Sequence, residues 1–288
     1  ADREMSATPD VSAPVETAAS PRALPATSVE RAVERWHDGA CTSTVDRIAE
    51  EVPVALAYHG VPHVVMLATP ADLEDFAFGF SLSESLVADA AEIRSIEVEA
   101  GPLAIDVHIG IAAQRFAQLL RERRNLTGRT GCGLCGAETL EQAIRTPTAV
   151  GPGPRVSVSD LHAALAELET RQPLNARTGS VHAAAWALPG QGVQLVREDV
   201  GRHNALDKVL GSLARSGADR SAGYLLITSR ASYEMVMKSA TLGISLLVAV
   251  SAPTALAIRL AEQCGLTLVG FARRDRHVVY THPQRVLA

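Results

Sequence analysis

Y-L-L-I-T-S-R-A-S-Y-E-M-V-M-K-S-A-T-L-G-I-S-L-L-V-A-V-S-A-P-T-A-L-A, running from Tyr224 to Ala257, decides the fold class. It holds a short apolar run (Tyr224 to Thr228), a polar break and an amphipathic stretch from Ala231 to Leu242. A second apolar run (Ile244 to Val250) follows, and then another helical stretch from Ala252 to Cys264. The same alternation occurs upstream, where Val193 to Val196 precedes a helix expected from Asn204. Near-continuous apolar strands alternating with helices imply a sheet with parallel strands, covered on both faces. No repeat of fixed period accompanies the pattern. The fold class read from the sequence is α/β.

Composition agrees with this reading and excludes several function classes. Apolar residues make up 47% and charged ones 20%, enough for a sizeable core and too apolar for a globally disordered chain. A net charge of −5 leaves no basic excess for non-specific nucleic-acid binding. The longest apolar candidate for a membrane span, Leu242 to Val250, falls far short and is broken by Gly243 and Ser245. Four cysteines among 288 residues are too few for a disulfide scaffold, and the start lacks the pattern of a secretory signal. A soluble protein of the reducing cytoplasm is expected.

Residues 1–30 are rich in Ala, Pro, Ser, Thr and Glu without apolar periodicity, and are expected to be a disordered tail. Val52 to Tyr58 and His63 to Leu67 flank a short Gly/Pro turn and predict a hairpin. Thr69 is expected to cap a helix with Pro70 in its first position. Further strands are predicted at Ile93 to Val98 and Leu103 to Ile109, with a helix over Ala112 to Arg123. The run Thr146 to Pro154 reads as a linker, giving an N-terminal α+β part over 31–145 and an α/β domain over 146–288.

Several constellations could carry chemistry. N-L-T-G-R-T-G-C-G-L-C-G (Asn125 to Gly136) reads as a flexible glycine loop holding Cys132 and Cys135. A thiol of pKa about 8.5 needs electropositive surroundings to be a good nucleophile. Arg123, Arg124 and Arg129 lie just upstream, and a helix is expected over Ala137 to Arg145. Half of a zinc site is the bland alternative, but no second C-x-x-C or H-x₃₋₅-H supplies the other ligands. A thioredoxin-like pair would sit directly after a strand, which this one does not. R-E-D-V-G-R-H-N-A-L-D-K (Arg197 to Lys208) crowds charge at a strand–helix junction. There Arg202 and His203 could assist anion binding, or Asp199 and Asn204 could merely cap the helix. Arg230 and the hydroxyls of V-S-A-P-T (Val250 to Thr254) occupy two more junctions, at strand carboxyl ends where open α/β sheets bind ligands. His182 sits beside small residues, which suggests close backbone approach, and on local residues alone reads first as a satisfied core histidine. F-A-R-R-D-R (Phe271 to Arg276) is either a solvated hairpin or an anion site. No P-loop or dinucleotide fingerprint is present.

Taken together, T-G-C-G-L-C-G, T-G-S-V-H-A-A, E-D-V-G-R-H-N-A-L-D-K, S-R-A-S-Y-E-M-V-M-K-S-A, V-A-V-S-A-P-T-A-L-A and L-V-G-F-A-R resemble the formate dehydrogenase accessory sulfurtransferase family, FdhD. The likeness runs from about Glu50 onward. Two positions depart from it: Ser180, where the family usually has glycine, and Ala68, where many members carry Arg. The resemblance implies a cytidine-deaminase-like three-layer sheet, although the zinc ligands of deaminases are missing. It implies that a cysteine desulfurase loads a persulfide onto Cys132, with Cys135 as helper or second carrier. The sulfur would pass to the molybdenum bis-molybdopterin guanine dinucleotide cofactor, bound as substrate, before its insertion into formate dehydrogenase. The family's cofactor segment maps onto Phe271, Ala272, Arg273, Arg274, Asp275 and Arg276, and we add His203 and Arg230 from the junctions. No resident metal or cofactor is implied, and a homodimer is among the expected assemblies. A cofactor-binding chaperone and a thiol–disulfide oxidoreductase are the competing functions.

Overall fold

The computed structural model describes residues 23–125 and 148–288, with side chains over 23–121 and 148–288. The chain opens with a hairpin arm, β1 (Ser28–His37) and β2 (Ala40–Ala49), paired along its whole length. The tail expected to reach residue 30 lies outside the described residues as far as 22, and Ser28 to Glu30 already belong to β1. The overlooked signal was Asp38-Gly39. Both residues have positive φ, 48° and 80°, as the tight turn of a two-residue hairpin demands.

A four-stranded sheet follows in the order β4-β3-β6-β5, with β3 (Val52–Tyr58), β4 (Val61–Ala68), β5 (Ile93–Ala100) and β6 (Ile105–Ile111). Between β4 and β5 runs α1 (Leu73–Ser83), and α2 (Ala113–Asn125) follows β6. The hairpin and the strands appear where the apolar runs predict them. The helix start does not. Asp72, at φ 53°, is the N-cap of α1, and Thr69 is drawn away by bonds to a distant junction described below.

A short parallel pair joins β7 (Val156–Ser157) to β14 (Val286–Leu287), and the second large sheet has six strands in the order β13-β12-β11-β10-β8-β9. Its centre is parallel: β10 (Tyr224–Ile227), β11 (Leu246–Ala249) and β12 (Thr267–Gly270). Its flanks are antiparallel: β8 (His182–Leu188), β9 (Gly192–Asp199) and β13 (Val278–Val279). The expectation of parallel strands therefore holds only for the middle three. H-A-A-A-W-A-L gave no strand signal because alanine has weak β-propensity, yet all five of its central residues are buried. Five helices accompany this sheet: α3 (Val158–Thr170), α4 (Pro173–Thr178), α5 (Arg202–Ser216), α6 (Tyr233–Thr241) and α7 (Ala255–Cys264).

Alternate residues of the central strands face opposite ways, as a two-residue repeat requires. Leu225, Ile227, Leu247, Ala249 and Leu268 pack with α5, α6 and α7. Tyr224, Leu226, Leu246, Val248 and Val269 pack with Leu161, Leu165 and Leu168 of α3. The first cluster also takes in Val54, Leu56, Ile105 and Val107 of the four-stranded sheet, so one core spans both parts of the chain. The join is helix against helix, α1 on α5. A Cβ placed on Gly79 would lie 1.8 Å from the Asp207 carbonyl oxygen, and one on Gly211 would lie 1.9 Å from that of Asp75. Only glycine permits that approach.

Candidate functional site at one edge of the large sheet

Strand direction gathers the sequence motifs. The parallel strands β10, β11 and β12 end at Thr228–Arg230, Val250–Thr254 and Phe271–Arg276. Antiparallel β8 begins at the same edge with His182, whose partner in β9 is Asp199, the last residue before the α5 junction. Five motifs scattered over about a hundred residues thus share one edge.

The E-D-V-G-R-H-N-A-L-D-K segment divides into residues that face inward and residues that face out. Asp199, Asn204 and Lys208 are buried. Lys208 Nζ meets Asp199 Oδ2 at 2.6 Å, with both side chains fully shielded from solvent, and also donates to the Thr69 carbonyl at 3.1 Å. The Thr69 amide donates to Asp199 Oδ2, and Thr69 Oγ1 accepts from the Val200 amide, each at 3.1 Å. Asp199 Oδ1 accepts from the Gly201 amide at 2.7 Å and from Asn204 Nδ2, which also reaches the Leu67 carbonyl. Asp199 and Asn204 therefore bolt β4 to the large sheet, and the N-cap of α5 is Gly201.

The outward residues are differently placed. His203 Nε2 contacts Glu234 Oε2 at 2.9 Å, tying the start of α5 to that of α6. That bond, ahead of the opposing cost of burial, holds the Glu234 carboxyl below the usual carboxylate range. His182 is half-buried. Burial first, then the positive charge of Arg202 and His203, keeps its ring below the ordinary histidine range. Arg230 is exposed at the end of β10. Among the described residues, Arg202, Arg230 and Arg276 make no side-chain hydrogen bond or ion pair.

The segment after β12 is held by its backbone. Phe271 has φ 50°, a costly conformation for a bulky residue, and its amide donates to the Ser251 carbonyl at 3.2 Å. The residue is 47% exposed. Ala272 is buried and its amide donates to the Ala249 carbonyl. Arg273 donates to the carbonyls of Val250 and Ala272, and Arg274 pairs with Glu169 of α3. Asp275 and Arg276 are exposed, with the Arg276 carbonyl accepting from the Arg273 amide at 2.7 Å. The edge thus presents an exposed aromatic ring and uncommitted guanidinium groups, the donor set that suits a nucleotide's base and phosphates. Cys132 and Cys135 lie outside the described residues, as does the helix expected over Ala137 to Arg145. Among the described residues, no group of three or more His, Cys, Asp or Glu side chains could hold a metal ion. Cys41 is exposed and Cys264 is buried, each as a free thiol.

The sequence reading missed a cleft of about 510 Å³ on the other side of Asp199 and Glu198. It is lined by Arg171, Pro173, Leu174, Arg177, Arg197 and Glu198 among others, and Glu198 there accepts from the amides of Leu174 and Asn175. Of the sequence motifs only R-E-D-V-G-R-H-N-A-L-D-K reaches it, through Arg197 and Glu198; the rest of its walls come from β9, α4 and the loop before α1, which carry no motif.

The profile of the FdhD/NarQ family matches residues 49–287. The chain belongs to the FdhD/NarQ family. Curated relatives include the "Sulfur carrier protein FdhD" of Cupriavidus necator, 54% identical over 94% of each chain. That of Xanthomonas euvesicatoria pv. vesicatoria is 53% identical over 94% of this chain and 96% of the relative. Among solved structures, one described as a formate dehydrogenase accessory protein from Desulfotalea psychrophila superposes with a TM-score of 0.72. It is 26% identical and covers 91% of this chain and 100% of its own. Membership of the FdhD/NarQ family agrees with the resemblance carried by the second-half motifs. Among the described residues, no helix is long and apolar enough to cross a membrane.

Proposed function

We propose that this protein is a sulfur carrier in formate dehydrogenase maturation. It accepts persulfide sulfur from a cysteine desulfurase on Cys132 and delivers it to the molybdenum bis-molybdopterin guanine dinucleotide cofactor. The observation that carries this reading is identity above one half, over nearly the whole chain, to proteins named sulfur carriers. The likeness to the cytidine deaminase architecture belongs to the same proposal and is supported by the three-layer arrangement of helices around the large sheet.

In the loading step the Cys132 thiolate attacks the outer sulfur of the desulfurase persulfide. The sulfur–sulfur bond there breaks, the desulfurase cysteine leaves as a thiolate, and the outer sulfur is now bonded to Cys132. No net oxidation occurs. The cofactor is the substrate, and the open sheet edge is where it would rest. Arg230 and Arg276 would meet its phosphates, Phe271 would stack on the guanine, and His203, held by Glu234, would donate from the start of α5. Arg273 and Arg274 are already engaged and would shape the segment more than bind through it. Thiol chemistry of this kind calls for a reducing compartment such as the cytoplasm.

The test is incubation with a cysteine desulfurase and cysteine, followed by mass analysis of the peptide containing Cys132 and Cys135. A gain of one sulfur atom on Cys132 is expected. Cys132→Ala should lose that gain and fail to restore formate dehydrogenase activity in a deletion strain, while its circular dichroism stays unchanged. Full restoration by Cys132→Ala would overturn the assignment. An unmodified peptide with restored activity would favour a cofactor-binding chaperone instead.

A further inference from the structure

The two edges of the six-stranded sheet differ in what they offer. β13, at one edge, is two residues long and leaves almost no template for pairing. β9, at the other, is eight residues long and pairs only with β8. The register tells which of its backbone groups face outward. Ala183 lies opposite Glu198 but makes its bonds on the side of β10. Its carbonyl accepts from the Thr228 amide at 3.0 Å, and its amide donates to Thr228 Oγ1 at 2.9 Å. Opposed residues of an antiparallel pair exchange both bonds or neither, so the Glu198 amide and carbonyl point away from β8. Val196, two residues earlier, points the same way.

Side chains close both ends of this outer edge. At one end the Val193 amide donates to Glu167 Oε2 at 2.9 Å, and the Val193 carbonyl accepts from Arg171. At the other end the Val200 amide donates to Thr69 Oγ1 at 3.1 Å. The middle is open. The Val196 carbonyl is met by the guanidinium of its own neighbour, Arg197, at 3.1 Å. Among the described residues, no hydrogen bond meets the Val196 amide or the Glu198 amide and carbonyl. This open stretch faces the cleft of about 510 Å³, which α4 and the loop before α1 also line. A strand of four residues is about 13 Å long, so the volume leaves it a cross-section of roughly 40 Å², room for one backbone with short side chains.

We propose that an acidic, extended segment of a partner protein adds to β9 in this cleft as a seventh strand. Main-chain bonds to Val196 and Glu198 hold it, as in other strand additions at an open sheet edge. The charge of the walls selects the occupant. Arg171, Arg177 and Arg197 line the cleft together with Asp72 and Glu198. Both acids are engaged, Asp72 with Arg197 and Glu198 with the amides of Leu174 and Asn175. Arg177 is exposed and, among the described residues, bonds only the Pro173 carbonyl of its own helix. Its charge is open to a carboxylate of the incoming strand. Successive side chains of a strand point to opposite faces, so acidic residues at alternate positions meet this wall. The site is a lateral edge of the sheet, not the strand ends where the cofactor is proposed to rest, and it does not depend on that reading.

Fluorescence anisotropy on the full chain, with a labelled hexapeptide that alternates valine and glutamate, tests the proposal. Micromolar binding is expected, the scale of a contact this small. Two further peptides carry N-methyl groups, one on its valine amides and one on its glutamate amides, with the charge unchanged. Only one of these two sets faces β9, so one peptide should bind about tenfold more weakly and the other like the parent. Arg177→Glu should weaken the parent peptide about tenfold and favour a peptide alternating valine and lysine. In the complex, amide hydrogen exchange should slow at Val196 and Glu198, while that of Arg197, which faces β8, stays as it was. No binding at millimolar peptide, equal losses from both methylated peptides, or unchanged exchange at Glu198 would each overturn the proposal. Displacement of the probe by a peptide of residues 1–22 would give the cleft to this chain's own tail and overturn the assignment to a partner.

Discussion

Two charged regions lie within a few residues of each other and have opposite characters. At the junction of the two sheets, Asp199, Lys208, Asn204 and Thr69 saturate one another with no solvent contact. At the open edge, Arg202, Arg230 and Arg276 make no hydrogen bond or ion pair with any described side chain. The same motif, E-D-V-G-R-H-N-A-L-D-K, feeds both. The difference lies in helical geometry: residues 204 and 208 are one turn apart on the inner side of α5, while Arg202 and His203 are its first residues and face the edge. Charge that is paired and buried builds the fold. Charge left unpaired at the rim is available to a ligand.

That contrast can be broken at either end. The largest effect should come from Lys208→Ala, which strands the Asp199 carboxylate in the interior. Unfolding in urea should show a loss of about 3–5 kcal/mol, the cost of orphaning one member of a buried pair. The double variant Asp199→Leu with Lys208→Met should cost less than Lys208→Ala alone, because no charge remains unpaired. If Lys208→Ala matched wild-type stability, the junction would be no bolt.

The next effect belongs to the edge. GDP, standing in for the guanine arm of the cofactor, should bind more tightly than ADP in titration calorimetry, and more weakly as salt rises. Arg276→Ala or Arg230→Ala should weaken it by about 1.5–3 kcal/mol, as expected for a charge-assisted hydrogen bond. Arg274→Ala should weaken it much less than either, because its exposed guanidinium is already engaged with Glu169. Equal losses from Arg274→Ala and Arg276→Ala would erase the distinction between engaged and free cations.

The smallest effect concerns His182. Its folded pKa lies below the ordinary 6.5, so the unfolded chain binds more protons as pH falls. Its contribution is complete well above that value and is lost as pH drops through it. His182→Gln should flatten the stability profile between about pH 7 and pH 5. The change should be slight, because the ring is only partly buried. A variant whose profile kept the wild-type slope would place the titration elsewhere.

Sequence alone revealed the central strands and their helices because those segments are apolar on both faces and long enough to show their period. It found the motifs at the edge because strand carboxyl ends are where α/β sheets expose their loops. It could not find β8, whose alanines carry no β signal, nor tell which charges of the α5 junction are paired. Asp199 and Lys208 meet a threonine about 130 residues earlier in the chain, and no local pattern encodes that partner. The capping role expected of Thr69 failed for the same reason, since its amide and hydroxyl are claimed from across the molecule.

The Gly79–Gly211 contact has a consequence for biogenesis. These residues are 132 positions apart, and each is the reason the other's helix can sit where it does. During synthesis the glycine face of α1, together with the apolar inner face of the first sheet, must wait uncovered until α5 has left the ribosome. Such non-local closure delays folding and lengthens exposure to aggregation. Cutting the chain near residue 146 should then leave an insoluble first fragment, even though its strands and helices are locally well specified.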